Sequence, residues 1–248
     1  MNISNEPSAV MLNRIEYNYW QVVTSIDEAA RSSGRNPNTI QLIVVTKGQS
    51  IEKVLSVIRA GARRLGENYV EEAMVKIAAL EGREDLEWHM IGHIQSRKSR
   101  AVCEKFHWVH SVDSIKIARR LNQHARESGR RLPVLLECNV SGEASKFGWQ
   151  VWDESRWSIF ADEIGLLIEL DQLEIKGLMT IPPYSDNPED SRHYFQRLRR
   201  LRDHLVSWYP HLDLRELSMG MSADYQIAIQ EGATMVRIGT AILGERLS

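Results

Sequence analysis

Apolar residues along this chain occur with two spacings, in short continuous runs and at steps of three and four residues. The first continuous run covers residues 40–47, is rich in β-branched side chains, and ends at Lys47 just before Gly48. Such a run predicts a strand that is covered on both faces. Residues 8–32 place their apolar side chains on one helical face, which predicts a helix ahead of this strand.

The same alternation continues to the end of the sequence. Strand-like segments follow at 63–68, 86–91, 108–112, 133–140, 173–180, 212–217 and 234–239. Helical patterns lie between them at 51–60, 69–80, after 95, 114–127, 153–170, 191–208 and 225–230. Eight strands, each but the last followed by a helix, predict an α/β fold: a single (β/α)8 TIM barrel with an extra N-terminal helix. We expect residues 1–248 to form one domain.

Composition narrows the class of protein. A length of 248 residues suits one barrel, and a net charge of −2 argues against nucleic acid as a partner. The two cysteines, Cys103 and Cys138, are too few for a disulfide framework, which favours reduced thiols and a cytoplasmic location. The first residues show no leader-like pattern, and no run approaches the roughly 18 apolar residues that span a bilayer, so no membrane is expected.

Polar and glycine-rich residues follow the predicted strands, where α/β barrels place their active sites. Lys47 ends the first strand; if it is partly desolvated, its pKa falls and the neutral amine can attack a carbonyl. The other predicted strand ends include 66–68, 92–93, 137–139, 179–180, 218–222 and 237–240. Glu137 and Asn139 share one face of their strand and are expected to look into the same barrel mouth.

The last two strand ends have the features of a phosphate site. Loops after the seventh and eighth strands of a barrel often bind phosphate through backbone N–H groups, and Gly239 would permit close approach. The hydroxyls of Ser222 and Thr240 would add donors. Tight turns and helix caps would leave the same pattern, so these residues alone do not decide. A reactive lysine beside a phosphate site suggests pyridoxal 5′-phosphate (PLP), a phosphorylated aldehyde held as a Schiff base.

Seven segments make a specific resemblance. The sequence is similar to the YggS/PROSC family of PLP homeostasis proteins, whose barrel is related to the N-terminal domain of alanine racemase, from about Leu42 to Gly244. The segments are VVTKGQ, LGENYVEE, WHMIGHIQSRK, NVSGEASKFGW, IKGLMTIP, LSMGMSADYQIAI and GATMVRIGTAILG.

The resemblance implies a role for each of seven residues. Lys47 would form the Schiff base, Asn68 would contact PLP near its ring, and Arg237 would face the pyridine nitrogen. Ser218, Ser222, Gly239 and Thr240 would hold the phosphate. Because arginine stays protonated, the ring nitrogen facing it would remain unprotonated, and the ring would be a weak electron sink.

The function implied is a PLP carrier or regulator without robust catalysis, rather than an enzyme. Its partners would be PLP and the PLP-dependent apoenzymes that receive it, and the chain would be a monomer or a weak dimer. One alternative is a PLP-dependent racemase or decarboxylase; in alanine racemase a tyrosine from a second domain supplies an acid/base group, and no residues remain here for such a domain. Another alternative is a Schiff-base aldolase acting on sugar phosphates.

Several residues invite other interpretations. Arg97 stands where the family commonly has asparagine, and Trp149, Trp152 and Trp157 crowd one segment; both features are expected outside the cofactor shell. The tryptophans favour helix packing over a partner surface. His89 and His93 are four residues apart, but they flank a strand end rather than a helix face, so no metal site is predicted.

Overall fold

The computed structural model describes residues 9–245, which form a closed parallel barrel. Eight strands make the ring, which closes because β1 pairs with β9 and β4 pairs with β5. The two-residue strand β6 pairs with β5 beside this ring. The strands are β1 (Gln41–Val45), β2 (Arg64–Glu67), β3 (Glu87–Met90), β4 (Trp108–Val112), β5 (Leu132–Asn139), β6 (Trp149–Gln150), β7 (Leu173–Met179), β8 (Glu216–Ser218) and β9 (Met235–Ile238). The predicted TIM-barrel fold is confirmed.

Helices connect the strands and cover the ring. They are α1 (Ala9–Ser32), α2 (Ile51–Arg59), α3 (Val70–Ala79), α4 (Ser99–Lys105), α5 (Ile115–Glu127), α6 (Trp157–Ile168), α7 (Arg192–Trp208), α8 (Tyr225–Gln230) and α9 (Thr240–Leu243). The predicted extra helix α1 packs on α2, α8 and α9, across the seam between the first and last strands. The sequence predicted no helix after the last strand, which is wrong. The short α9 forms there because Ile242 and Leu243 are buried.

The strand β8 is shorter and later than the sequence predicted. Residues 212–217 were expected to be extended, whereas β8 covers Glu216–Ser218. Leu214 packs into the core from an irregular segment, so the apolar alternation reflects burial without a strand ladder. Ser218 is consequently the last residue of the strand, fully buried, rather than part of the following loop.

The tryptophans between residues 149 and 157 are mainly packing elements. Trp149 and Trp157 are buried, and Trp157 Nε1 donates a hydrogen bond to the Val151 carbonyl at 2.9 Å. Trp152 stays 46% exposed and lies over Gly142. Two of the three tryptophans therefore pack on the barrel, as the sequence predicted.

Two further features concern the described part of the chain. Both cysteines are buried free thiols. Between residues 9 and 245 no helix combines the length and the apolar character required to cross a bilayer.

Candidate functional site

A cavity of about 260 Å³ opens at the carboxyl ends of the barrel strands. Six of the seven residues predicted for the site line it: Lys47, Asn68, Ser222, Arg237, Gly239 and Thr240. They come from the ends of β1, β2 and β9 and from the loop after β8. The barrel therefore brings together residues that are up to 193 positions apart in the sequence. Ser218, the seventh, is not among the lining residues.

A buried ammonium group anchors the residue before Lys47. Lys76 Nζ donates to the Thr46 carbonyl at 2.6 Å and to Glu67 Oε1 at 2.7 Å. The Thr46 hydroxyl also donates to Glu67 at 2.6 Å. Burial raises the pKa of Glu67 because it disfavours the carboxylate, while the bonds from Lys76 and Thr46 oppose that effect. Thr46 is thus tied through both its carbonyl and its side chain.

The residue after Lys47 is anchored by the same ammonium group. Glu72, one turn before Lys76 on α3, accepts a hydrogen bond from Lys76 Nζ at 2.6 Å and from the Gly48 N–H at 2.5 Å. Gly48 has φ +67°, a conformation that favours glycine. Since both neighbours are fixed, the backbone of Lys47 has a defined position at the rim of the cavity.

Two short helical turns meet on the opposite side of the cavity. Asp224 Oδ1 accepts from the Met221 N–H at 2.7 Å, and the Tyr225 N–H donates to the Met221 carbonyl, so a helical turn begins after Met221. N–H groups in the first turn of a helix have no acceptor within that helix. Ser222 Oγ accepts from the Ala241 N–H of α9 at 3.2 Å, which links the two turns. Paired turns of this kind favour an anion such as phosphate.

Gly239 and Asn68 provide a direct test of whether a ligand fits. A Cβ at Gly239 would lie 3.1 Å from the Val45 carbonyl oxygen and 3.2 Å from the Val45 Cβ, so a side chain would crowd the wall of the cavity. Asn68 Oδ1 is buried and has no hydrogen-bond partner within the described residues. A buried unpaired acceptor is costly unless a ligand or water completes it. Both residues fit an occupied site.

Arg237 supplies a buried cation at the floor of the cavity. Its side chain is 4% exposed, with Nη1 donating to Ser218 Oγ at 2.5 Å and Nη2 to the Thr180 carbonyl at 2.8 Å. Burial lowers the pKa of Arg237 to about 10, while the carboxyl groups of Asp224 and Glu137 act to raise it. The guanidinium is therefore charged at neutral pH, and other N–H groups remain for a ligand.

A chain of buried polar groups continues from Arg237 across the barrel. Ser218 Oγ lies 2.9 Å from His110 Nδ1, and His110 Nε2 lies 3.0 Å from His89 Nδ1. Burial lowers the pKa of both imidazoles, and Arg237 lowers that of His110 further, so both rings are neutral. Since Arg237 donates to Ser218, the hydroxyl can donate to His110, whose Nε2–H then donates to His89. The chain ends 3.6 Å from Glu87, at the opposite end of β3 from the cavity.

The sequence interpretation missed this chain. Alternation along β3 and β4 does place His89 and His110 on buried faces, but no local signal shows that these strands face β8 across the barrel. The structure also gives Ser218 a different neighbourhood from the other phosphate candidates. Its hydroxyl is fully buried between Arg237 and His110.

A second cavity, of about 470 Å³, adjoins the first. The two share Asn68, Ile91 and Ile181 as walls. Glu137 lines the second cavity, as its strand position predicted. Arg97 lines it too, next to the cofactor shell rather than remote from it. The expectation for Asn139 is wrong, because its Oδ1 accepts from the backbone of the turn at residues 141–142 instead.

Sequence comparison places the chain among known proteins. Residues 12–247 match the family described as "Alanine racemase, N-terminal domain". The chain is 41% identical over 238 residues to the pyridoxal phosphate homeostasis protein of Vibrio alginolyticus, covering 95% of this chain and 99% of that protein. This chain belongs to the pyridoxal phosphate homeostasis protein family. The resemblance seen in its motifs is confirmed.

Solved structures agree with the assignment to the pyridoxal phosphate homeostasis family. PipY of Synechococcus elongatus PCC7942, solved with PLP bound, is 37% identical with a TM-score of 0.77 and covers 88% of this chain and 100% of its own. Alanine racemase from Streptomyces coelicolor A3(2) has a TM-score of 0.71 at 20% identity, matching 93% of this chain and 58% of the racemase. The latter similarity concerns the fold alone.

Proposed function

We propose that this member of the pyridoxal phosphate homeostasis family binds PLP as a Schiff base on Lys47 and serves as a carrier. One observation carries the proposal: Lys47, the cation of Arg237 and two converging helical turns line the same cavity. These groups suit an aldehyde, an unprotonated pyridine nitrogen and a phosphate, respectively. The relatives named above and PipY with PLP bound support it.

The phosphate would lie between the two helical turns. We assign its binding to Ser222, Gly239 and Thr240, because all three line the cavity. Ser218 is left out of this group because its hydroxyl is buried beneath Arg237 and already has two partners. We propose instead that Ser218 positions Arg237.

The ring would lie between Arg237 and Asn68. Bound PLP supplies an electrophilic aldehyde and an electron-withdrawing ring. A charged Arg237 offers a hydrogen-bond donor to the ring nitrogen and disfavours its protonation, which weakens electron withdrawal. The unpaired Asn68 Oδ1 offers an acceptor. This electrostatic setting favours holding the cofactor over catalysis, and we propose no catalytic residue.

Other functions fit the site less well. A racemase or decarboxylase would gain from a protonated ring nitrogen, which Arg237 opposes. A Schiff-base aldolase on sugar phosphates would use Lys47 and the anion site, but its substrate would leave the buried cation of Arg237 without a role. We further propose that the chain is one cytoplasmic domain, a monomer or weak dimer, that passes PLP to PLP-dependent apoenzymes.

Borohydride reduction of the PLP-loaded protein, followed by peptide mass mapping, tests the Schiff base. We expect a phosphopyridoxyl group on Lys47, absent from Lys47→Ala and retained in Lys116→Ala, which alters an exposed lysine on α5. Lys47→Ala should unfold in urea like the parent, since its side chain is only partly buried at the rim. Labelling that persists in Lys47→Ala, or absence of any adduct in the parent, would contradict the proposal.

A further inference from the structure

The second cavity contains a buried carboxyl group without a partner. Glu137 is 9% exposed, and its carboxyl group makes no hydrogen bond within residues 9–245, although it lines the cavity. Burial and the carboxylate of Asp113 raise the pKa of Glu137 to about 7, while Arg237 acts to lower it. A buried acidic group in this state is costly, and it gains most from a ligand that offers a cation or a strong donor.

A second unpaired acceptor lies on the wall between the cavities. Asn68 Oδ1 is buried without a partner among the described residues, and Asn68 lines both cavities. The backbone here is fixed, because Gly92 packs directly against Asn68 and the Gly92 carbonyl accepts a hydrogen bond from Ser111 Oγ at 2.6 Å. Two unpaired acceptors that line one cavity favour a donor group such as an ammonium.

The rim of the same cavity is cationic. Arg97 is exposed there, held by a bond from its Nε to Gln95 Oε1 at 3.0 Å. Lys98, also on the rim, is engaged by Glu71, so Arg97 is the rim cation better placed to receive a ligand carboxylate. Arg97 also disfavours a ligand that carries only positive charge.

His93 fixes one side of the opening. Its Nδ1 lies 2.7 Å from Asp113 Oδ2, and its ring stacks on Phe147 with 3.9 Å between centroids. The remaining walls include Met90, Ile91 and Ile181, which are apolar. The cavity thus combines acceptors at its wall, a cation at its rim and an apolar surface between them.

We propose that the second cavity binds a free α-amino acid with an aliphatic side chain, its ammonium on Glu137 and Asn68 and its carboxylate towards Arg97. The site would exist in the PLP-free protein and does not depend on the proposed function. If PLP is held on Lys47, the amino acid lies across the Asn68 wall from it, and the two ligands share Asn68 Oδ1, whose two lone pairs can accept one bond from each. The fraction of carrier molecules with an amino acid in the second cavity would then follow the concentration of free amino acid.

Affinity should rise with pH, because an ammonium binds the carboxylate form of Glu137. With a pKa of about 7, the ionised fraction grows from about a tenth at pH 6 to about nine tenths at pH 8, which predicts about tenfold tighter binding. Asp113 and Arg237 are the charged groups that act on the Glu137 carboxyl group, and Glu71, His93, Arg97 and Lys98 line the same cavity. Glu137→Gln should therefore abolish the trend as well as weaken binding.

Titration calorimetry of the PLP-free full chain with L-leucine tests the proposal. We expect saturable one-to-one binding, and at least tenfold weaker binding of 4-methylpentanoate, which lacks the ammonium, and of 3-methylbutylamine, which lacks the carboxylate. Arg97→Asn should weaken L-leucine binding by a similar factor. Arg100→Asn is the matched control, since Arg100 is exposed and pairs with Glu127 outside the cavity.

Several results would overturn the proposal. Equal affinity for 4-methylpentanoate would mean an anion site only, and binding unchanged in Glu137→Gln would place the ligand elsewhere. No heat with L-leucine at pH 8, in protein that still gives the phosphopyridoxyl adduct on Lys47, would refute the second site and leave the proposed function standing. Binding of L-leucine to protein that forms no adduct would do the reverse.

Discussion

The buried cation beside the lysine loop gives a prediction that can be worked out in numbers. Lys76→Met keeps the apolar stem but leaves Glu67, which is fully buried, with Thr46 as its remaining partner. Breaking a buried ion pair from one side typically costs about 3–5 kcal/mol. The part of this cost that comes from Glu67 has a ceiling, because Glu67 can take up a proton instead; the bonds from Lys76 to the Thr46 carbonyl and to Glu72 are lost in addition. Relative to a pKa of 4.5, neutralising Glu67 at pH 7 costs about 2.5 × 1.36, or about 3.4 kcal/mol.

The sign of the pH dependence follows from the same reasoning. In Lys76→Met the pKa of Glu67 in the folded state lies further above its unfolded value, so the variant becomes less stable as pH rises from about 4.5 to 7. Acidification to pH 5 should recover up to about 2.7 kcal/mol of the free energy of unfolding. Urea unfolding of the parent and variant at pH 7 and pH 5 measures this.

Controls separate the charge effect from simple loss of packing. The double variant Lys76→Met with Glu67→Gln lacks the buried carboxyl group and should lose the pH dependence of the deficit. Lys105→Met, at an exposed position on α4, should change stability little. A deficit below about 1 kcal/mol at pH 7, or one equally large at pH 5, would refute the reasoning that Lys76 neutralises a buried carboxylate.

Three further predictions concern the cofactor cavity and the groups beneath it. Ser218→Ala leaves a buried guanidinium N–H and an imidazole nitrogen unpaired, so it should lower the free energy of unfolding in urea by about 2–4 kcal/mol. Ser99→Ala, which removes one bond from a buried hydroxyl to a carbonyl, should cost about 1 kcal/mol, and equal costs would contradict the assignment. Arg237→Glu should allow the ring nitrogen to be protonated and reveal slow transamination, measured as pyridoxamine phosphate by chromatography; no gain would count against the role of Arg237. Gly239→Ala should weaken PLP retention on gel filtration, because its Cβ crowds the cavity wall, whereas Gly165→Ala on α6 should retain PLP like the parent.

Periodicity predicted most of the barrel, since each βα unit repeats the same two spacings. The strand Trp108–Val112 matches its prediction at both ends. The prediction failed where side chains are covered although their backbone does not pair in the sheet. Leu212 and Leu214 alternate as in a strand, but they lie before β8. Local pattern reports whether a side chain is covered, and it does not report which neighbour covers it.

The residues of the candidate site were predicted about as completely as the strands and helices of the barrel. Strand ends and family motifs brought six residues to one cavity. The polar chain beneath Arg237 was not predictable, because β8 approaches β3 and β4 only across the closed ring. The sequence also could not predict that the carboxyl group of Glu137 is unpaired. The position of Glu137 in its strand predicts which way the side chain points, but not which groups surround it.

The polar chain from Arg237 to His89 occupies a barrel centre that branched aliphatic residues usually fill. Ser218 and His110 each donate to one neighbour and accept from another, so replacing either by an aliphatic residue leaves its neighbours unpaired. Substitutions at these positions therefore have to occur together. Libraries that vary His89, His110 and Ser218 one at a time should yield few folded variants, whereas libraries that vary them together with Arg237 can return to an apolar centre and lose the cation of the cofactor cavity.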